Sequence, residues 1–204
     1  MLNSHRGYDP GALAMARALA GAFSAPLVSS TISRLLVDLN RSGYHPRLFS
    51  AATRGAPAAL RERIVEQYYL PYRMRAERLV GQAVSCGYRV VHISSHSFTP
   101  QLNGRRRVAD VGLLYDPARR VEAALCARWK TALAACAPEL RVRRNYPYAG
   151  KGDGLTSHLR RRFPPAAYVG IEVEINQGIV RAAGGRWTAL RRALIDSLRA
   201  ACAV

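Results

Sequence analysis

Four stretches of this chain carry residues whose types and spacing could do chemistry. In "HISSHSFTP" (92–100), His92 and His96 stand four apart, where the apolar run of Val90, Val91 and Ile93 gives way to polar and turn-forming residues. A histidine at the mouth of a strand is a common metal ligand or catalytic base. The even spacing puts both rings on one face of a regular strand, so His92 is a second ligand, a partner of His96 or a buried structural residue. In "GIEVEINQ" (170–177), Glu172 and Glu174 stand two apart inside an apolar strand. Carboxylates are seldom buried without a partner, so a pair on one face calls for a cation, a metal or a shared proton. One of the two suits the general base that activates a water. The alternative is an edge strand with both glutamates in solvent.

"SRLLVDLNRS" (33–42) sets Arg34, Asp38, Asn40 and Arg41 around an apolar centre. A guanidinium offers a planar fork to two carboxylate oxygens, and an amide adds an orienting donor. Asn40 and Arg41 therefore suit a carboxylate-bearing substrate, with Asp38 holding one arginine. The plainer alternative is an arginine–aspartate pair that closes a loop. "SHRGYDPGA" (4–12) offers His5 and Asp9. An aspartate just before a helix is, by itself, an N-cap.

The elements that must position these groups alternate. Residues 11–22 predict a helix with Asp9 as cap and Pro10 at its first position. "PLVSS" (26–30) predicts a short strand, and "ISRLLVDLN" (32–40) is an apolar run that ends in polar residues. Residues 58–85 predict a long helix, broken or kinked near Pro71. "YRVVHIS" (88–94), "ADVGLLYD" (109–116), "LRVRRN" and "YVGIEVEIN" (168–176) predict strands. Residues 118–136 predict a helix with Val121, Leu125, Trp129 and Leu133 on one face. "GLTSHLRRRF" and "RWTALRRALIDSLRAAC" predict two more. "AATRGAPAA" (51–59) predicts a flexible loop. Strands alternating with helices argue for an α/β three-layer sandwich with a mixed, mostly parallel central sheet. Ligands of such sheets gather beyond the carboxyl ends of the strands.

Composition narrows the classes. At 204 residues and 49% hydrophobic, the chain has material for one sizeable core. No apolar run reaches the ~18 residues of a membrane span. "MLNSHRGYDP" lacks the charged-then-apolar pattern of a secretory signal. The scattered Cys86, Cys126, Cys136 and Cys202 read as small buried residues of a reducing, cytoplasmic compartment. The net charge of +18 invites a nucleic-acid partner. Lysine occurs only at Lys130 and Lys151, however, and the arginines are spread along the whole length rather than gathered on one element. That distribution argues against a phosphate-binding stripe, although "RRNYPY" and "HLRRRF" are local basic clusters with aromatics.

Taken together, "HRGYDPGALA", "SRLLVDLNRS", "HISSHSFTP", "ADVGLLYDP", "RRNYPYAGKGDGLT" and "GIEVEINQ" resemble, in order, the motifs of the N-formylglutamate amidohydrolase family. The resemblance covers essentially the whole chain. It implies a fold similar to zinc carboxypeptidases and aspartoacylases, and hydrolysis of an N-acyl (N-formyl) amide on an acidic amino acid, a small-molecule substrate. It implies Zn2+ as cofactor, with His96 and Asp9 as metal ligands and Glu174 as general base. Arg34 would polarise the scissile carbonyl, and Asn40 and Arg41 would clamp the substrate carboxylate, with Asn145 and Tyr148 beside them as substrate-binding residues. His5, His92 and Glu172 would support the site. The family's pattern also begins with a strand and an "EHGG"-like segment whose histidine is the first zinc ligand. No such segment stands here, so the expectation is a single domain over residues 1–204, shortened at its N-terminus, with His5 or His92 as substitute ligand. Two other functions stay open: a shortened relative that keeps only a binding pocket, and a basic nucleic-acid-binding domain.

Overall fold

The computed structural model describes residues 7–182 and 184–203. The chain forms two compact units. One comprises Val28–Val90 and Asp153–Tyr168 with the segment that ends at Tyr8, and the other comprises Asp9–Leu27, Val91–Gly152 and the chain from Val169 onward.

The second unit carries the sheet. Its strands are β1 (Val90–Phe98), β4 (Val111–Leu114), β5 (Val142–Arg144) and β6 (Tyr168–Asn176), in the order β1-β6-β4-β5. Strands β4 and β5 run parallel, and β4 and β6 antiparallel. The sheet is therefore mixed, and with its flanking helices it gives the α/β class that the sequence predicts. A two-stranded hairpin, β2 (Gln101–Leu102) and β3 (Arg105–Arg106), follows β1.

Alternation decides which face is apolar. Ile171, Val173 and Ile175 of β6 join Val111 and Leu113 of β4 in one buried cluster. Helices α1 (Ala12–Ala22), α4 (Arg120–Cys136) and α7 (Arg186–Cys202) supply Met15, Leu125, Trp129, Leu133 and Leu194 to it. The Trp129 indole N–H donates to the Ser197 hydroxyl at 3.0 Å, so its one polar atom is satisfied inside the core. The intervening residues, Glu172, Glu174 and Asn176, face the other way. Glu174 pairs across the ladder with Gly112, and Glu172 with Leu114. Strand β6 lies between two neighbours, which rules out the solvent-facing edge strand.

A buried carboxylate ties this unit together. Glu122 of α4 is fully buried and accepts the backbone N–H groups of Asp116 at 2.9 Å and Gly170 at 3.0 Å. It gives two backbone donors an acceptor inside the unit.

The first unit is helical. Helices α2 (Ala58–Ile64) and α3 (Leu70–Ser85) are joined by a π-helical turn, Val65–Tyr69. The expected break or kink near Pro71 takes the form of this π-helical turn, which parts α2 from α3. Proline sits in the first turn of α3, and the wider turn just before it absorbs the missing N–H. Helix α5 (Leu155–Arg162) packs Leu155 and Leu159 against Ala76, Val80 and Tyr168. A second cluster joins Val37, Leu48, Ile64 and Tyr69.

Two sequence expectations need correction. Residues 26–30 form no strand, and the apolar run 32–40 forms turns and irregular chain, while 51–57 form the expected loop. Pro26 lacks a ladder donor, and hydroxyls take over the backbone groups that a strand would need. Ser33 bonds the Leu35 N–H and the Gly7 carbonyl, while Ser50 and Thr53 hold the Leu35 and Leu36 carbonyls. Of the four cysteines only Cys126 is buried; Cys86, Cys136 and Cys202 are exposed, because they stand on the outer faces or ends of their helices. No helix among the described residues is long and apolar enough to cross a membrane.

Glu122→Ala should destabilise the protein by roughly 1–3 kcal/mol, because one buried and one part-buried N–H group lose this acceptor. Urea unfolding reads it, and a loss below about 1 kcal/mol would mean that other groups satisfy those donors.

Candidate active site

His96 lies inside β1, not after it, because the strand runs on to Phe98. Its face of the strand also carries His92 and Ser94, by alternation. Nδ1 of His96 lies 2.8 Å from Oδ2 of Asp9, and Nε2 lies 3.1 Å from the Ser94 hydroxyl. The two side chains are largely buried, at 18% and 12% exposed.

Asp9 reaches His96 because it does not cap the helix. The cap position of α1 is Gly11, at φ 81°, and no side chain bonds the helix start. The Asp9 backbone serves the helix, its carbonyl accepting the Ala12 N–H. Gly11 is required twice over. Its positive φ favours glycine, and a Cβ there would stand 2.8 Å from Val180.

Burial alone would push the His96 ring towards neutrality. The hydrogen bond and charge of Asp9, with the charges of Glu174 and Glu172, outweigh it and push its pKa up to about 9. Three carboxylates thus act on one imidazole. The Gly112 position, which faces Glu174 across the ladder, must stay bare. A Cβ there would meet the Tyr146 carbonyl oxygen at 1.8 Å and the Glu174 Cβ at 3.3 Å. Phe98 meets the Tyr146 ring edge-on at 6.4 Å. Sequence reading passed over Gly112 and Ser94; only strand alternation and cross-strand register reveal them.

In the first unit, Asn40 and Arg41 form a held loop. The Asn40 side-chain oxygen accepts the Leu155 N–H at 2.8 Å and so caps α5. Arg41 donates to the Asp153 carbonyl at 3.3 Å, and Asp38 stands 3.7 Å from it. Asp153 accepts the Ser42 N–H, Tyr69 donates to the Arg41 carbonyl and Arg73 to the Asn40 carbonyl. Arg34 is tied through its N–H to the Gly7 carbonyl. In the second unit, Asn145 adopts φ 49° and its side-chain oxygen accepts the N–H groups of Tyr115 and Gly150, which makes it a loop organiser. Tyr148 accepts from Arg107 at 3.1 Å. His5 lies outside the described residues.

Residues 1–180 match the N-formylglutamate amidohydrolase family. The chain belongs to that family. It is an amidohydrolase by that membership. A gene product of Agrobacterium tumefaciens of known structure is 31% identical, with a TM-score of 0.81 over 99% of this chain and 80% of that one. The N-formylglutamate amidohydrolase of Ralstonia eutropha JMP134 shares the fold at 22% identity, with a TM-score of 0.68 over 95% of this chain and 81% of that one. Among curated proteins none matches.

For a zinc ion, the amidohydrolase offers one carboxylate and one imidazole of the right donor classes, already side by side in a carboxylate-rich setting. They fit as two of the three protein ligands that a catalytic zinc usually takes. Among the described residues no group of three His, Cys, Asp or Glu side chains is placed to hold a metal.

In metal-free protein the protonated His96 stabilises the fold. That contribution is full below the ordinary imidazole value, near ~6.5, and fades as pH rises from there through about 9. An NMR titration of metal-free Asp9→Asn should place the His96 midpoint lower by at least ~1 pH unit than in the native protein. An unchanged midpoint would remove Asp9 as its partner.

Proposed function

We propose that the protein hydrolyses the N-acyl amide of an acidic amino acid, with N-formyl-L-glutamate as the type substrate, in a zinc-dependent reaction. The observation that supports this most is the buried Asp9–His96 pair beside Glu172 and Glu174. Excess negative charge in a low-dielectric setting favours a cation.

Asp9 and His96 hold the metal. A zinc ion there would supply the positive charge that acidifies water and polarises the scissile carbonyl. Glu174 takes the proton from the attacking water and returns it to the leaving amine. It stands opposite Gly112, whose missing side chain lets the Tyr146 backbone pack close beside it. Glu172 adds negative charge on the same face. His92 and His5 are the candidates for the remaining ligand. Arg34, Asn40 and Arg41 keep the roles that their motif implies: Arg34 on the oxyanion, Asn40 and Arg41 on the substrate carboxylate. Asp38, Asp153 and Leu155 would then hold that clamp rigid. Asn145 would act by shaping the loop that carries Tyr148.

Formate release from N-formyl-L-glutamate tests the proposal directly. Glu174→Gln should lower kcat by about 10²–10⁴-fold with little change in KM. Near-normal turnover would pass the general-base role to Glu172 or end it. Arg41→Ala should raise KM by about tenfold or more, as a lost charge-assisted contact does. Unaltered kinetics in a folded variant would remove Arg41 from the clamp. A native protein that releases no formate with zinc supplied would overturn the substrate.

A further inference from the structure

A second feature of the sheet-bearing unit is lined by residues given no role above, although Tyr148 holds one of them. It is built by a turn. Asn103 and Gly104 both adopt positive φ, at 49° and 76°, the two-residue turn that matches the twist of a hairpin. The turn pairs Gln101 with Arg106 and Leu102 with Arg105. Arg107 then donates its N–H to the Pro100 carbonyl at 2.8 Å. The end of β6 clamps the returning strand. The Asn176 side-chain amide donates to the carbonyls of Arg107 at 3.3 Å and Ala109 at 2.9 Å.

The result is a cleft of about 200 Å³ lined by Arg106, Arg107, Arg141, Arg186, Asp110 and Asn176 among others. Four arginines and one carboxylate line it. Asp110, 3% exposed, takes the Arg141 guanidinium through both oxygens, at 3.1 and 3.3 Å, and the Arg141 N–H at 2.9 Å. Arg186 stands 3.9 Å from the same carboxylate. Arg107 is held by the Tyr148 hydroxyl and lies over the Tyr148 and Phe98 rings, at 5.1 and 5.9 Å from their centroids. Two of the four arginines, Arg141 and Arg107, are therefore held by hydrogen bonds, and Arg186 lies within ion-pair distance of Asp110. Fixed guanidinium forks that converge on one small concavity, with charge in excess of their single acid, recognise oxyanions. The cleft lies two residues along the chain from Glu174, through Asn176, and four from His96, through Pro100.

We propose that this cleft is a binding site for a small oxyanion of more than one negative charge, either inorganic phosphate or a dicarboxylate. Its volume suits a single such group. The inference does not depend on the hydrolytic reading, and it is tested by binding alone.

Calorimetric titration of the full-length protein with inorganic phosphate and, separately, with glutarate tests it. At least one probe should bind saturably. Arg106→Gln with Arg186→Gln, both on exposed side chains, should weaken it by about tenfold or more. Arg107→Gln should do the same. Arg120→Gln with Arg192→Gln, exposed arginines of the same unit away from the cleft, should change it by less than about twofold. Binding of phosphate alone assigns the site to a free phosphate, and binding of glutarate assigns it to a carboxylate compound. Saturable binding of neither probe overturns the proposal. So does equal weakening by the control pair, which would show attraction to overall charge only.

Discussion

Charge inside the sheet is the constraint around which this structure is arranged. A strand with apolar residues on one face and carboxylates on the other cannot be buried unless those carboxylates are answered. Without metal, strand β6 answers one end with His96, which Asp9 orients and Glu172 and Glu174 help to keep protonated. It answers the other end with Asn176, whose amide binds carbonyls of the arginine-bearing segment. The same strand thus joins a negative centre to a positive one. Beside the first, Gly112 admits the Tyr146 backbone at close range, and an Asn-Gly turn shapes the second.

Local hydrogen bonding sets where the functional side chains are free to act. Gly11, not Asp9, starts α1, and this releases the Asp9 carboxylate to reach His96. Asn40 does the reverse, spending its side-chain oxygen on the start of α5. Arg41, beside it, is fixed by Asp153 and Asp38, as the plainer loop-closing alternative also foresees. A rigid clamp and a closed loop are the same bonds. Kinetics, not geometry, separates them.

Much of this was legible in the sequence. Alternation in "GIEVEINQ" shows that Glu172 and Glu174 share a face, and the apolar runs around it place β1, β4 and β6. The motifs carry the family, which the match over residues 1–180 bears out. The rest was hidden for physical reasons. The apolar run 32–40 resembles a strand, but hydroxyl-to-backbone bonds from Ser33, Ser50 and Thr53 hold it in turns. Asp9 has the composition of a cap, and only the left-handed Gly11 shows that it is not one. The hairpin at Asn103–Gly104 had a readable signal that the run of arginines after it obscured. The Asp110–Arg141 pair joins residues too far apart in sequence for any local pattern to reveal.

The central claim is that the carboxylate excess around His96 exists to hold a metal. Zinc content of the purified native protein and of the Asp9→Ala and His96→Ala variants, by elemental analysis, tests it most directly. The account predicts about one zinc per native chain, with most of it lost in either variant. Substrate hydrolysis by protein that contains no zinc, or zinc retained in both variants, would contradict it.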